Sequence, residues 1–151
     1  MIQDFATYNS KFNPSHTPHI LLDTMIQWTL YKQEQCKKLK TILSKKQWLK
    51  EYCTIRFCLP RQSGHSCSAV KLANQYFLKP CFILYNKSMK INAYKLEKDV
   101  HSFATFNTDL ISRTLQCIVV DLASLMSSTK QEKIYNFDFD INQNNLILFL
   151  E

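Results

Sequence analysis

Apolar and polar positions follow two different rhythms along the chain, and the change falls near residue 54. From His19 to about Ser44, Leu21, Leu22, Met25, Ile26 and Leu30 recur every three to four residues, and Leu39, Ile42 and Leu43 resume the pattern. That spacing lines one face of a helix. Trp28 continues the stripe and is expected to pack inward, as most large aromatics do. From Thr54 onward the apolar residues come in short unbroken runs, 54–59, 81–85, 117–121 and 146–150. Runs of that length without polar alternation are those of parallel strands covered on both faces. Between them, 66–77 and 89–100 carry helical spacing, 101–106 suits a short strand, 110–115 a connector, and 130–140 a helix or loop. The alternation predicts an α/β fold with a mostly parallel sheet and flanking helices on both faces. Right-handed crossovers would put the first strand centrally and its following loop at the carboxyl edge of the sheet.

A chain of 151 residues suits one domain. Within it, residues 1–53 read as an arm, containing Pro14 and Pro18, and a basic helical segment packed on the core; residues 54–151 read as the core. A single Gly, Gly64, leaves few positions for tight hairpins and speaks against an all-β sandwich. Six cysteines (Cys36, Cys53, Cys58, Cys67, Cys81 and Cys117) show neither C-x-x-C nor spacing with His, so reduced thiols without disulfide or zinc are expected. The start lacks a basic and apolar leader, and no apolar run approaches the roughly 20 residues that span a bilayer. A soluble, cytoplasmic protein is the expectation.

Net charge is +7, unevenly spread. Residues 1–98 hold 16 Lys and Arg against 5 Asp and Glu, a balance of +11; residues 99–151 hold 3 against 7, a balance of −4. Seven lysines lie between 32 and 50, and Lys37, Lys38, Lys40, Lys45, Lys46 and Lys50 fall off the apolar stripe. A face of this kind suits a polyanion, because neutralising phosphates releases counterions. A solvated lysine surface explains the same pattern without any partner.

Two segments carry candidate chemistry. Leu59-Pro60-Arg61-Gln62-Ser63-Gly64-His65-Ser66 links a strand to a helix and aligns with the phosphate loop G-x-x-x-x-G-K-[ST], keeping Gly64 and Ser66. Leu59 stands at the first Gly and His65 at the Lys. Backbone N–H groups at such a turn cradle an anion, and Gly lets the backbone approach it. The Arg61-Gln62-Ser63-Gly64 stretch resembles loops of phage terminase large subunits and helicase-like ATPases. Cys117 to Ser124 resembles the Walker B strand of the same families, with Asp121 at the Mg²⁺-linked carboxylate and Leu122 where a Glu would activate water. Simpler readings also fit: a packing glycine, and a buried strand that ends in an Asp cap.

The resemblance implies a phosphate-loop NTPase-like core over 54–151. Arg61, Gln62, Ser63, Gly64, His65 and Ser66 would be its anion or nucleotide site, and Ser66 and Asp121 its metal ligands. With Lys and Glu both replaced, it implies impaired hydrolysis and no obligatory cofactor, beyond vestigial binding of ATP and Mg²⁺. A carboxylate general base must reach the attacking oxygen; Leu122 cannot do this, and Glu132, Asp138 or Asp140 would have to reach the site from a loop. Three functions stay open. The first is an impaired module that binds nucleic acid or a nucleic-acid machine, through the lysines named above and Arg113, with a phage or other mobile element as the source. The second is a protein-binding adaptor or inhibitor without nucleotide. The third is an active ATPase that uses His65 in place of the Lys.

Overall fold

The computed structural model describes residues 17–58, 65–85 and 99–151. The helix expected over 89–100 lies almost wholly outside these residues, as do Leu59 to Gly64. In chain order the elements are α1 (Thr17–Gln35), a 3-10 turn (Lys37–Thr41), α2 (Lys45–Tyr52), β1 (Thr54–Phe57), α3 (His65–Tyr76), β2 (Cys81–Leu84) and β3 (Val100–Ser102). They continue with α4 (Phe106–Asp109), β4 (Thr114–Leu115), β5 (Cys117–Val120), a 3-10 turn (Ala123–Leu125), α5 (Ser128–Ile134), β6 (Asp138–Phe139) and β7 (Leu146–Leu150). Five strands form one sheet in the order β1-β7-β5-β2-β3, and each neighbouring pair is parallel. A separate parallel pair joins β4 to β6. The α/β class and the parallel arrangement are as the sequence rhythm predicts.

One expectation is corrected. β1 lies at the edge of the sheet, not at its centre, because β7 returns between β1 and β5. The residue types account for this. Every residue of β7 is apolar and buried, so it needs cover on both faces and partners on both sides. β1 places Thr54 and Arg56 among its apolar residues, and only Ile55 and Phe57 are buried. Arg56 instead lays its guanidinium 4.4 Å from the Phe149 ring and pairs with Glu151 at 2.9 Å.

The strand pleat divides the core in two. Ile83, Ile118, Val120, Ile147 and Phe149 face Trp48, Leu49, Phe106, Leu110 and Ile134 from α2, α4, α5 and their loops. Phe82, Leu84, Val119, Leu146 and Leu148 face Leu22 and Ile26 of α1 and Ala69, Leu72 and Ala73 of α3. Each such side chain is worth roughly 1.5–3 kcal/mol relative to exposure, so both layers are needed to hold the sheet.

The helix expected over 19–44 is broken. α1 stops at Gln35, and Ser44 starts α2 with a reciprocal cap, its Oγ accepting from Gln47 N–H while the Gln47 side chain accepts from Ser44 N–H. Gln33 sits just before the break and is 1% exposed. Its amide donates to Asn145 O at 2.7 Å and Tyr52 O at 3.1 Å, and accepts from Asn145 N–H at 3.1 Å.

All six thiols are free. Burial pushes the Cys53 and Cys81 thiols up to about 12 and raises Cys117 further. Thiolate is the reactive form, so a thiol reagent at pH 8 should label exposed Cys58 and Cys67 in native protein and spare Cys53, Cys81 and Cys117 until denaturant is added. Mass spectrometry of the labelled peptides reads this directly; native labelling of Cys117 would contradict the fold.

Candidate functional site

Because the five strands run the same way, their carboxyl ends share one edge. α3 follows β1 and therefore begins there, with Ser66 in its first turn. Asp121 follows β5 immediately and is 6% exposed. Ser66 Oγ donates to Asp121 Oδ1 at 3.1 Å. β1 and β5 are not neighbours, so this contact crosses over the end of the intervening β7. Two residues 55 positions apart, each singled out by its own motif, thus meet at one point.

Backbone geometry fixes Asp121. Its N–H donates to Ile83 O at 3.0 Å, and the Leu122 N–H donates to Asp121 Oδ1 at 3.0 Å. Leu122 has φ 52 and ψ 43, the left-handed region, which costs a residue with a Cβ roughly 1–2 kcal/mol. The turn Ala123–Leu125 that follows holds it there. Hydroxyl and carboxylate oxygens are donors of the type hard divalent cations take, whereas the Leu122 side chain offers no base.

At the same edge a cavity of about 550 Å³ opens beyond β2, β3 and β5, bordered by Tyr85, Phe103, Leu125, Met126 and Lys130. Tyr85 packs edge-on against Phe103 with centroids 5.6 Å apart, and Lys130 Nζ donates to Phe103 O at 3.2 Å. None of these residues was singled out from the sequence. The signal for them is positional: Tyr85 and Phe103 directly follow β2 and β3, and Leu125, Met126 and Lys130 lie on the turn and helix that follow β5.

Arg61, Gln62, Ser63 and Gly64 lie outside the described residues; His65 is the first residue of α3. Glu132 receives Lys46 at 2.8 Å and Lys50 at 2.7 Å, which hold its carboxyl down at about 2. Asp138 receives Lys45 at 3.3 Å and the Thr114 hydroxyl at 3.1 Å. Lys37 pairs with Glu34 at 2.9 Å, and Lys40 donates to Ile141 O at 2.7 Å. Part of the +11 and −4 asymmetry is therefore met inside the molecule, where the basic segment packs on the acidic half. Among the described residues Lys38 has no carboxylate partner. Asp138 and Asp140 precede β7 at the amino edge of the sheet, opposite Asp121, so neither lies with Ser66 and Asp121.

Arg113 is also at the amino edge, where its two terminal guanidinium nitrogens, Nη1 and Nη2, donate to Asp99; Nη2 lies 2.7 Å from Oδ2. Cys81 Sγ donates to Asp99 Oδ2 at 3.0 Å, and His101 bridges Asp99 at 3.0 Å and Asp109 at 2.9 Å. Asp99 has φ 58, in the left-handed region. The structure does not bring Arg113 to Ser66 and Asp121.

Trp28 departs from expectation. It is 60% exposed, with Tyr31 at 53%, because α1 turns Leu22, Ile26 and Gln33 inward instead. Trp48 is the buried tryptophan, stacked on Tyr52 at 4.7 Å.

Among the described residues no helix is long and apolar enough to cross a membrane. Comparison of the chain with protein-family models, curated proteins and solved structures finds no match.

Proposed function

We propose that this chain is a phosphate-loop-type module, impaired in hydrolysis, that binds nucleic acid or a complex built on it. The approach of Ser66 to Asp121 at the carboxyl edge carries the reading. In a phosphate-loop site the hydroxyl and the strand-end carboxylate are brought together across an intervening strand to hold Mg²⁺ against the phosphates. Ser66 and Asp121 fit such a cation, and α3 offers its amino end to an anion. His65 and Leu122 in place of Lys and Glu remove the fixed phosphate cation and the base that activates water. Nucleic acid is favoured over a neutral partner by the net charge of +7 and by exposed aromatic and lysine side chains on α1 and the segment after it.

The test has two arms. The purified chain should turn over neither ATP nor GTP above background with Mg²⁺, and His65→Lys alone should not restore turnover. Mg²⁺-nucleotide should raise the melting temperature of the native chain and not of Ser66→Ala. Mg²⁺-dependent turnover lost in His65→Ala would make the chain an active ATPase. No melting shift at millimolar nucleotide would sink the nucleotide site and leave a module that binds nucleic acid or protein without nucleotide.

A further inference from the structure

The outward face of α1 bears Trp28 and Tyr31, both more than half exposed, with ring centroids 5.6 Å apart. Lys32 Nζ lies 5.7 Å from the Trp28 ring centroid. Beside this pair, where α1 meets the end of α2 and the start of β1, is a cleft of about 180 Å³ lined by Trp28, Thr29, Lys32, Glu51, Tyr52 and Thr54. Such a cleft is smaller than the roughly 300 Å³ at which pockets for whole small-molecule ligands begin. It suits one planar ring. Its walls also supply an aromatic face, an ammonium donor and a carboxylate acceptor, the groups that a base edge and its phosphate use together.

We infer that Trp28, Tyr31 and Lys32 form a base-stacking platform for single-stranded nucleic acid, with the neighbouring cleft receiving one base. The inference rests on the nucleic-acid part of the function proposed above and specifies where and how the strand is held. Rings that stack on bases work when their faces are open and a cation is near enough to meet the backbone. The basic segment continues from the platform: α1 runs directly into the turn Lys37–Thr41, where Lys38 is exposed. A strand stacked on Trp28 would therefore pass toward positive charge. A second copy of the chain is the poorer occupant, because it would bring +7 against +7. Exposed Ile20 and Leu21 extend the apolar face toward the start of α1, but Thr24, Gln27 and Lys32 interrupt it around Trp28, so it is not the continuous apolar core of a stable protein interface.

The two tryptophans make the test direct, since Trp28 is exposed and Trp48 buried. The 151-residue chain is titrated at about 50 mM salt, where phosphate contacts are strong, with a single-stranded oligonucleotide, an abasic strand of equal length, and polyphosphate. The oligonucleotide should quench the exposed tryptophan and bind roughly tenfold more tightly than the abasic strand. Trp28→Ala should lose the quenching and about the same factor in affinity, while Trp28→Phe keeps most of the affinity; unchanged urea midpoints show that both variants fold. Replacing Lys38, which is exposed and has no carboxylate partner among the described residues, by Gln should instead weaken all three ligands alike. Equal affinity for base-bearing and abasic strands, with Trp28→Ala unaffected, overturns the platform and leaves nucleic-acid binding standing. Binding to none of the three overturns both. A concentration-dependent dimer that Trp28→Ala dissociates would assign the face to self-association and overturn the platform as well.

Discussion

Replacing Gln33 by Leu is expected to lower the unfolding free energy by about 2–4 kcal/mol, since it leaves buried peptide groups unpaired. Gln33 is 1% exposed and Asn145 is 0% exposed, so water does not take over their bonds. The side chain serves three backbone groups at once: the carbonyl of Tyr52, before β1, and both peptide groups of Asn145, before β7. Those residues lead into neighbouring parallel strands, so one amide ties α1 to the register of both. Leu matches the volume and the helix propensity of Gln, and its loss would isolate the polar term. Gln33→Glu is expected to be worse, because a carboxylate has no hydrogen to give to the two carbonyls. Urea titration at pH 7 reads the effect as a lower midpoint at unchanged slope. A Gln33→Leu protein within about 0.5 kcal/mol of the native chain, the range of ordinary surface changes, would show that this amide does not hold the strands.

What the sequence displays and what it hides divide along the range of the interactions. Cys117–Val120 and Leu146–Leu150 are legible because each is an unbroken apolar run whose burial on both faces is a local property of its residues. The order of the strands is not local. Nothing within Thr54–Phe57 says that β7 will lie beside it, although the single charged residue there, Arg56, is a mark of an edge. The orientation of α1 is similarly hidden. Its apolar residues spread around the helix, and a buried Gln33 decides which of them turn inward, leaving Trp28 out. Here a polar residue with a long-range partner outweighs an aromatic on the expected face.

The candidate site shows the same division. Ser66 and Asp121 could be singled out because each follows a strand at its carboxyl end, and parallel strands gather those ends whatever their order. Arg113 and the lysines could not be assigned in this way, since a cation's role depends on which carboxylate lies opposite. Glu132 proves to stand opposite Lys46 and Lys50, and Asp99 opposite Arg113. The charge asymmetry of the chain thus overstates what is free to meet a partner, and the exposed aromatics, among them a Trp28 expected in the core, carry more of the case for one.

Arg113→Ala is expected to cost about 2 kcal/mol near neutral pH, between the value of an exposed ion pair and that of a buried one. The Arg113 side chain is 38% exposed and that of Asp99 only 17%. Burial alone would raise the Asp99 carboxyl, but hydrogen bonds from Arg113, Cys81 and His101 outweigh it and hold the group well below the usual carboxylate range. A carboxyl with a depressed folded value stabilises the protein above its unfolded value, near 3.9, and loses that contribution as pH falls toward the folded one. The difference between native chain and Arg113→Ala should therefore stay constant from about pH 7 to 5 and narrow below about pH 4. Because Asp99 leads into the edge strand β3, the loss should appear first there, as faster amide exchange at Val100–Ser102 ahead of the central β5 and β7. Urea titrations of both proteins between about pH 7 and 2.5 would measure the narrowing. A stability difference that holds constant through that range would mean that Arg113 contributes packing, and that Asp99 keeps its charge without it.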